Sequence, residues 1–200
     1  MTLDRLRPVA DRALGPFVTA AARAGLTPDG VSVVAFGFAL AAGGAFAFGT
    51  SVGYLLGALF VFVNGWLDLV DGALARRQGV AGSGGDLLDH VLDRYADIAM
   101  VVGVAAGVDR YALGLVAVTG VLMTSYLGTQ IQAIGLGREY GGLVGRADRL
   151  ALTGVAAALT GLGTPPVAGL APVGWLLVLL AVVGHATAVQ RFYGAWRDVR

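Results

Sequence analysis

Apolar residues run along this chain in blocks too long and too evenly hydrophobic for the stripe of a water-soluble helix. With only occasional charges they cover residues 30–49, 51–75, 86–108, 111–135, 148–164 and 172–193. About 20 apolar residues carry a helix across a bilayer. The pattern therefore predicts an all-α integral membrane protein with six transmembrane helices over 30–193. Ahead of them, Leu3, Leu6, Val9, Leu14 and Phe17 alternate with Asp4, Arg5, Arg7, Asp11 and Arg12. This stretch lacks the apolar core and small-residue cleavage site of a signal peptide, and it predicts an interfacial amphipathic segment over 1–17, interrupted near Pro8 and Pro16. Thr27 and Pro28 suit the N-cap and first turn of the first span.

Composition strengthens this picture. The 200 residues are 56% hydrophobic and 14% charged, with a mean hydropathy of +0.75. Little chain is left outside the apolar blocks, so a single membrane domain over 1–200 is expected. There is no Cys, which excludes disulfides and thiolate metal sites. The net charge of +1 gives no reason to expect a nucleic-acid partner. It hides an asymmetry, however. Arg5, Arg7, Arg12, Arg23, Arg76, Arg77, Arg138, Arg146, Arg149, Arg197 and Arg200 fall in the termini and loops that six spans place on one side, and the opposite loops hold only Arg110, beside Asp109. The positive-inside rule puts both termini and the 76–85 and 136–147 loops in the cytoplasm of a multi-pass cell-membrane protein.

The interruptions in the apolar pattern carry the chemistry. Residues three, four and seven apart share a helix face, so Asp68, Asp71, Gly72 and Ala75 form one stripe at the cytoplasmic end of the second span, with Asn64 a turn deeper. Asp86, Asp89, Asp93 and Asp97 form another, running inward from the cytoplasmic end of the third. A short Gly-rich loop, Gln78 to Gly85, joins them. The two helices are expected to pack antiparallel with these faces close together. Clustered carboxylates at a membrane boundary repel one another and need a cation. Arg76, Arg77 and Arg94 offer some neutralisation, but facing carboxylates suit hard divalent ions, Mg²⁺ or Mn²⁺. Two such ions are a recurring device for phosphoryl transfer. A cation or proton transporter is the rival reading; it would spread its acids along a path, whereas these gather at one end.

Residues 68–93 read Asp-x-x-Asp-Gly-x-x-Ala-Arg, eight residues, Gly, three residues, Asp, three residues, Asp. This resembles the signature of the CDP-alcohol phosphotransferases, carried here by Asp68, Asp71, Gly72, Ala75, Arg76, Gly85, Asp89 and Asp93. The resemblance extends to chain length and to six spans. It implies an enzyme that displaces CMP from a CDP-linked lipid with the hydroxyl of a polar alcohol, using two divalent metals at the cytoplasmic face. It further implies Asp68, Asp71, Asp89 and Asp93 as metal ligands, Asp93 also as general base, Gly72 and Ala75 as clearance for cytidine, and Arg76 and Gly85 as part of the CDP-lipid site. Homodimers are common in the family. Asp86 is an outer-shell candidate, Asp97 has no assigned role, and His90 either packs between helices or lines the site.

The acceptor must be read elsewhere. "GLGREYGGLVGRADRLAL", residues 135–152, brings Arg138, Arg146 and Arg149 to the cytoplasmic side, and arginine forks suit phosphate. "GRADRLAL" resembles the Arg-x-acid-Arg stretch of the phosphatidylinositol-phosphate and archaetidylinositol-phosphate synthases, whose acceptor is inositol 1-phosphate. Arg191, in "TAVQRFY", and Ser125, in "TSYLGTQIQA", complete the acceptor candidates. Where those synthases place basic residues after Ser-Tyr, this chain has Gly128, Gln130 and Gln132. The alternative acceptor is glycerol 3-phosphate; its branch of the family carries a Lys-bearing motif in this region, and this chain has no Lys.

Overall fold

The computed structural model describes residues 7–80, 82–137 and 144–199, with side chains from Leu14 onward. Those residues form seven α-helices: α1 (Arg7–Arg23), α2 (Pro28–Ala47), α3 (Ser51–Gln78), α4 (Ser83–Gly107), α5 (Tyr111–Ala133), α6 (Arg146–Gly161) and α7 (Pro172–Asp198). Four of them, α2, α3, α5 and α7, are long and apolar enough to cross a membrane. The other two expected spans differ for physical reasons. Asp93, Arg94 and Asp97 sit within the apolar run of α4, and α6 has only 16 residues, about 24 Å at 1.5 Å per residue. Many large apolar side chains face outward, among them Phe48, Val52, Phe62 and Leu115. In water such a surface would be costly; against lipid it is the expected exterior.

The ends of the helices follow the local signals. Thr27 caps α2, accepting from the Gly30 N–H at 3.1 Å, with Pro28 in the first turn. Gly79, at φ 67°, takes the left-handed conformation that stops α3. The N-terminal segment departs from expectation. Helix α1 continues to Arg23, and neither Pro8 nor Pro16 interrupts it. Both prolines lie within the helix, and Pro16 is on its exposed side. The opposite face of α1 buries Leu14, Val18 and Ala21 against Val31, Val70 and Leu74.

Helix packing also corrects the sequence reading. Helices α3 and α4 were expected to pack on one another, but each makes its extensive contacts with α2. Small residues allow this close approach. A Cβ at Gly103 would lie 2.1 Å from the Gly43 carbonyl oxygen, and one at Gly107 2.1 Å from that of Phe46, so α2 and α4 touch backbone to backbone in the small-residue manner of membrane helices. Helix α3 packs on α6, and α5 on α7. One core of buried residues joins these elements, including Phe46, Tyr54, Val61, Met100, Val121 and Leu177. With α2 wedged between them, α3 and α4 meet only toward their polar ends.

Candidate active site

At those ends the two acidic stripes converge. Carboxylate oxygens of Asp68 and Asp71 from α3 and Asp89 from α4 lie within 4.8 Å of one another. Asp71 is buried and accepts from the Ser32 hydroxyl of α2 at 2.7 Å. Three carboxylates at this separation are a hard-oxygen donor set of the kind Mg²⁺ and Mn²⁺ take, and the residues fit a divalent ion. Ser32 fits the same picture as an outer partner that orients a ligand. The motif search did not single it out, because only the packing of α2 on α3 brings it to Asp71.

Asp93 stands beside this trio in a different setting. It is 8% exposed, with its Oδ1 2.6 Å from Arg146 Nη2 and its Oδ2 3.6 Å from Arg94 Nη2. Arg146 also binds Asp68, so one guanidinium joins a carboxylate of α3 to one of α4. A Cβ at Gly72 would come no nearer than 3.5 Å to any neighbour, the Arg76 Nη1, and one at Gly85 would sit 3.5 Å from Asp29 Oδ1. A Cβ would make ordinary van der Waals contact at either position, so packing does not demand glycine there. Ala75 is half-buried and Arg76 exposed.

A cavity of about 570 Å³ opens next to the acids, between α4, α5, α6 and α7. Asp89 and Asp93 line one side, and Arg94, Arg146, Arg149 and Arg191 bring four guanidinium groups to it, with Ser125 also in the wall. Each arginine is held from the protein side. Arg94 donates to Ser125, Arg149 Nη2 lies 2.9 Å from Asp97 Oδ2, and Arg191 donates to the Thr124 carbonyl at 2.5 Å. The last contact follows from the α5–α7 seam, where Gly120 and Gly184 are in backbone contact and the Thr124 hydroxyl donates to the Gly184 carbonyl at 2.8 Å. Asp148, between the α6 arginines, faces away from this task; its Oδ2 accepts from the Gly145 N–H at 2.9 Å and caps the helix.

The cavity brings together Arg146, Arg149, Arg191 and Ser125 of the expected acceptor set; Arg138 lies outside the described residues. His90 also lines the cavity. Asp86 is exposed, and its carbonyl oxygen lies 2.6 Å from His90 Nδ1. Asp97 is paired with buried Arg149 and half-buried Arg94. Arg94 was read only as a neutralising charge, since its place in the wall depends on α5.

Comparison with known proteins decides the family. The CDP-alcohol phosphatidyltransferase family model matches residues 25–184, a stretch that contains both acidic stripes. The chain belongs to this family. Among its relatives is the archaetidylinositol phosphate synthase of Methanothermobacter thermautotrophicus, 31% identical over 203 residues, covering 99% of this chain and 96% of that one. The phosphatidylinositol phosphate synthase of Mycobacterium tuberculosis superposes with a TM-score of 0.81 at 28% identity in a crystal structure with CDP-DAG bound, covering 92% of this chain and 94% of that one. A second crystal structure of that synthase, in complex with manganese and citrate, gives 0.80 at the same identity, with 92% and 88% covered. As a family member the chain is a transferase of phospholipid synthesis, and its apolar helices embed it in a membrane.

Proposed function

We propose that this transferase moves a phosphatidyl or archaetidyl group from a CDP-linked lipid to inositol 1-phosphate and releases CMP. The observation that carries the acceptor is the four-arginine cavity against the acidic cluster. An alcohol that already bears a phosphate needs cationic forks, and a neutral alcohol such as serine or free inositol does not. The names of the relatives support the same acceptor: they are an archaetidylinositol phosphate synthase from an archaeon and a phosphatidylinositol phosphate synthase from a bacterium.

In the proposed reaction the acceptor hydroxyl oxygen bonds to the lipid-side phosphorus of the diphosphate. The bond from that phosphorus to the bridging oxygen breaks, and CMP leaves with the electron pair. Asp93 lies on the border between acids and arginines and takes the hydroxyl proton. Arg146, Arg149, Arg191, Arg94 and Ser125 orient the acceptor phosphate, and Arg138 is assigned to the same role. Gly72, Ala75, Arg76 and Gly85 flank the CDP-lipid. Two divalent ions, Mg²⁺ or Mn²⁺, are assigned to Asp68, Asp71, Asp89 and Asp93; bound there, they neutralise diphosphate charge and stabilise the leaving oxygen. The manganese complex of the mycobacterial synthase supports this assignment.

The same reading takes residues 1–200 as one membrane domain, with α4 and α6 completing six spans and with both termini and the active site at the cytoplasmic face. Helix α4 turns its charges inward to Arg146 and Arg149, which removes the main objection to its crossing the bilayer. Glycine-rich helix faces are compatible with a homodimer. The test is CMP release by purified protein in detergent with CDP-lipid, Mg²⁺ or Mn²⁺, and one acceptor at a time. Release with inositol 1-phosphate but not serine or free inositol is expected. Release with glycerol 3-phosphate alone would reassign the acceptor.

A further inference from the structure

We infer that Asp97, a carboxylate outside the signature, is a positioning residue that sets the direction of the phosphate-binding arginines. The inference rests on the reading of the 570 Å³ cavity as the acceptor pocket. Asp97 is one helical turn beyond Asp93 on the same stripe of α4 and is 6% exposed. It is not part of the cavity wall; Arg94 and Arg149 are. It stands behind both, with Oδ2 2.9 Å from Arg149 Nη2 and 3.8 Å from Arg94 Nη2. An acid in this place touches no substrate and acts through the two guanidiniums.

Stability alone gives a poor account of this pair. Buried ion pairs are weak contributors to stability because desolvation offsets their attraction, and apolar side chains of similar volume serve as well. The surroundings are mostly apolar: Met100, Val101, Val121, Leu150 and Leu180 line the small space around Asp97 and Arg149, together with Thr153. What the carboxylate supplies and a leucine would not is direction. Arginine has many rotamers, and a single fixed acceptor on one Nη aims the rest of the fork. Among the described residues Arg149 Nε is buried without a hydrogen-bond partner, and Asp97 holds the Nη2 end of this guanidinium.

The two arginines of α6 thus dock on α4 as two rungs, Arg146 on Asp93 and Arg149 on Asp97. The upper rung belongs to the reaction centre and the lower one aims the pocket. Cutting the lower rung alone is expected to weaken acceptor binding while leaving the CDP-lipid site in place.

The experiment is steady-state kinetics of CMP release for the full-length protein and its D97N, D97E and R149A variants, with thermal melting in the same detergent. D97N should raise KM for inositol 1-phosphate about tenfold or more, as expected when a charge-assisted contact is misaligned, with KM for the CDP-lipid within about twofold. Inhibition by inorganic phosphate, competing with the acceptor, should weaken in parallel. D97E, which keeps the charge, should recover part of the loss. An unmoved acceptor KM in D97N, a loss confined to kcat, or an equal rise in both KM values overturns the positioning role. If D97N does not fold, D97E decides: a raised acceptor KM at an unshifted Tm supports the role, and an unmoved one overturns it. R149A separates the two readings. A raised acceptor KM in R149A but not in D97N removes the role of Asp97 alone, whereas an unmoved KM in R149A removes the acceptor pocket itself.

Discussion

The hydroxyl of Ser32 on α2 lies 2.7 Å from Asp71 Oδ2 on α3. The bond crosses the interface of the two helices and fixes the rotamer of a carboxylate in the acidic trio. Ser32 Oγ also lies 3.1 Å from the Pro28 carbonyl; a hydroxyl has one proton, and the charged oxygen is the stronger acceptor. Ser32→Ala is therefore expected to reduce divalent-metal affinity about tenfold, in the range typical of outer partners of metal ligands. Titration of CMP release with Mn²⁺ reads this directly. An unchanged half-saturation point would remove Ser32 from the site.

The trio itself gives the stronger test. Asp68→Asn, Asp71→Asn and Asp89→Asn each remove one charged oxygen donor from a set that spans 4.8 Å, and activity should fall by about 100-fold or more at fixed metal, roughly 3 kcal/mol in the barrier. A chelator should abolish CMP release, and added Mg²⁺ or Mn²⁺ should restore it. Turnover that persists in the chelator would rule out metal dependence.

Arg191 reaches the cavity by way of the Thr124 carbonyl at 2.5 Å, a contact at the end of a long helix seam. Arg191→Ala removes a cation and leaves the Gly120–Gly184 approach intact. The expected result is a rise of about tenfold in KM for inositol 1-phosphate, the loss of one charge-assisted hydrogen bond, with little change in Tm. A fall in Tm without any effect on acceptor KM would make Arg191 a packing residue.

Two glycines of different setting test the packing account. A Cβ at Gly103 would lie 2.1 Å from a carbonyl oxygen of α2, whereas one at Gly37 would meet nothing within 4 Å among the described residues. Gly103→Ala should destabilise by about 1–3 kcal/mol through overpacking, read as a lowered Tm in detergent, and Gly37→Ala should not. Equal melting of the two variants would contradict the backbone contact between α2 and α4.

Gly72 is the complementary case, since its Cβ would meet only the Arg76 guanidinium at 3.5 Å. Gly72→Leu is expected to leave Tm close to that of the parent and to raise KM for the CDP-lipid about tenfold or more, because the added side chain fills binding space instead of straining the fold. An unaffected KM would place the cytidine elsewhere.

The sequence by itself determined the solvent, the helical class and the four acids of the signature, because each is written in local spacing. Apolar runs of helical length select a bilayer, and Asp68, Asp71, Asp89 and Asp93 recur at intervals that put them on helix faces. It also marked Arg146 and Arg149, three residues apart at a helix start, and left Asp97 without a partner. What only the tertiary structure decided was which helix meets which. Helix α2, not α3, packs along α4 because Gly43, Gly103 and Gly107 permit backbone contact, and that wedge confines the meeting of the acids to the polar ends. The Gly120–Gly184 contact fixes α5 against α7 and so places Arg191. The contacts of Ser32 with Asp71, Arg94 with Ser125 and Asp97 with Arg149 span 31 to 52 positions of sequence. Helical periodicity reports the direction a side chain takes from its own axis, and it carries no information about the neighbour waiting there.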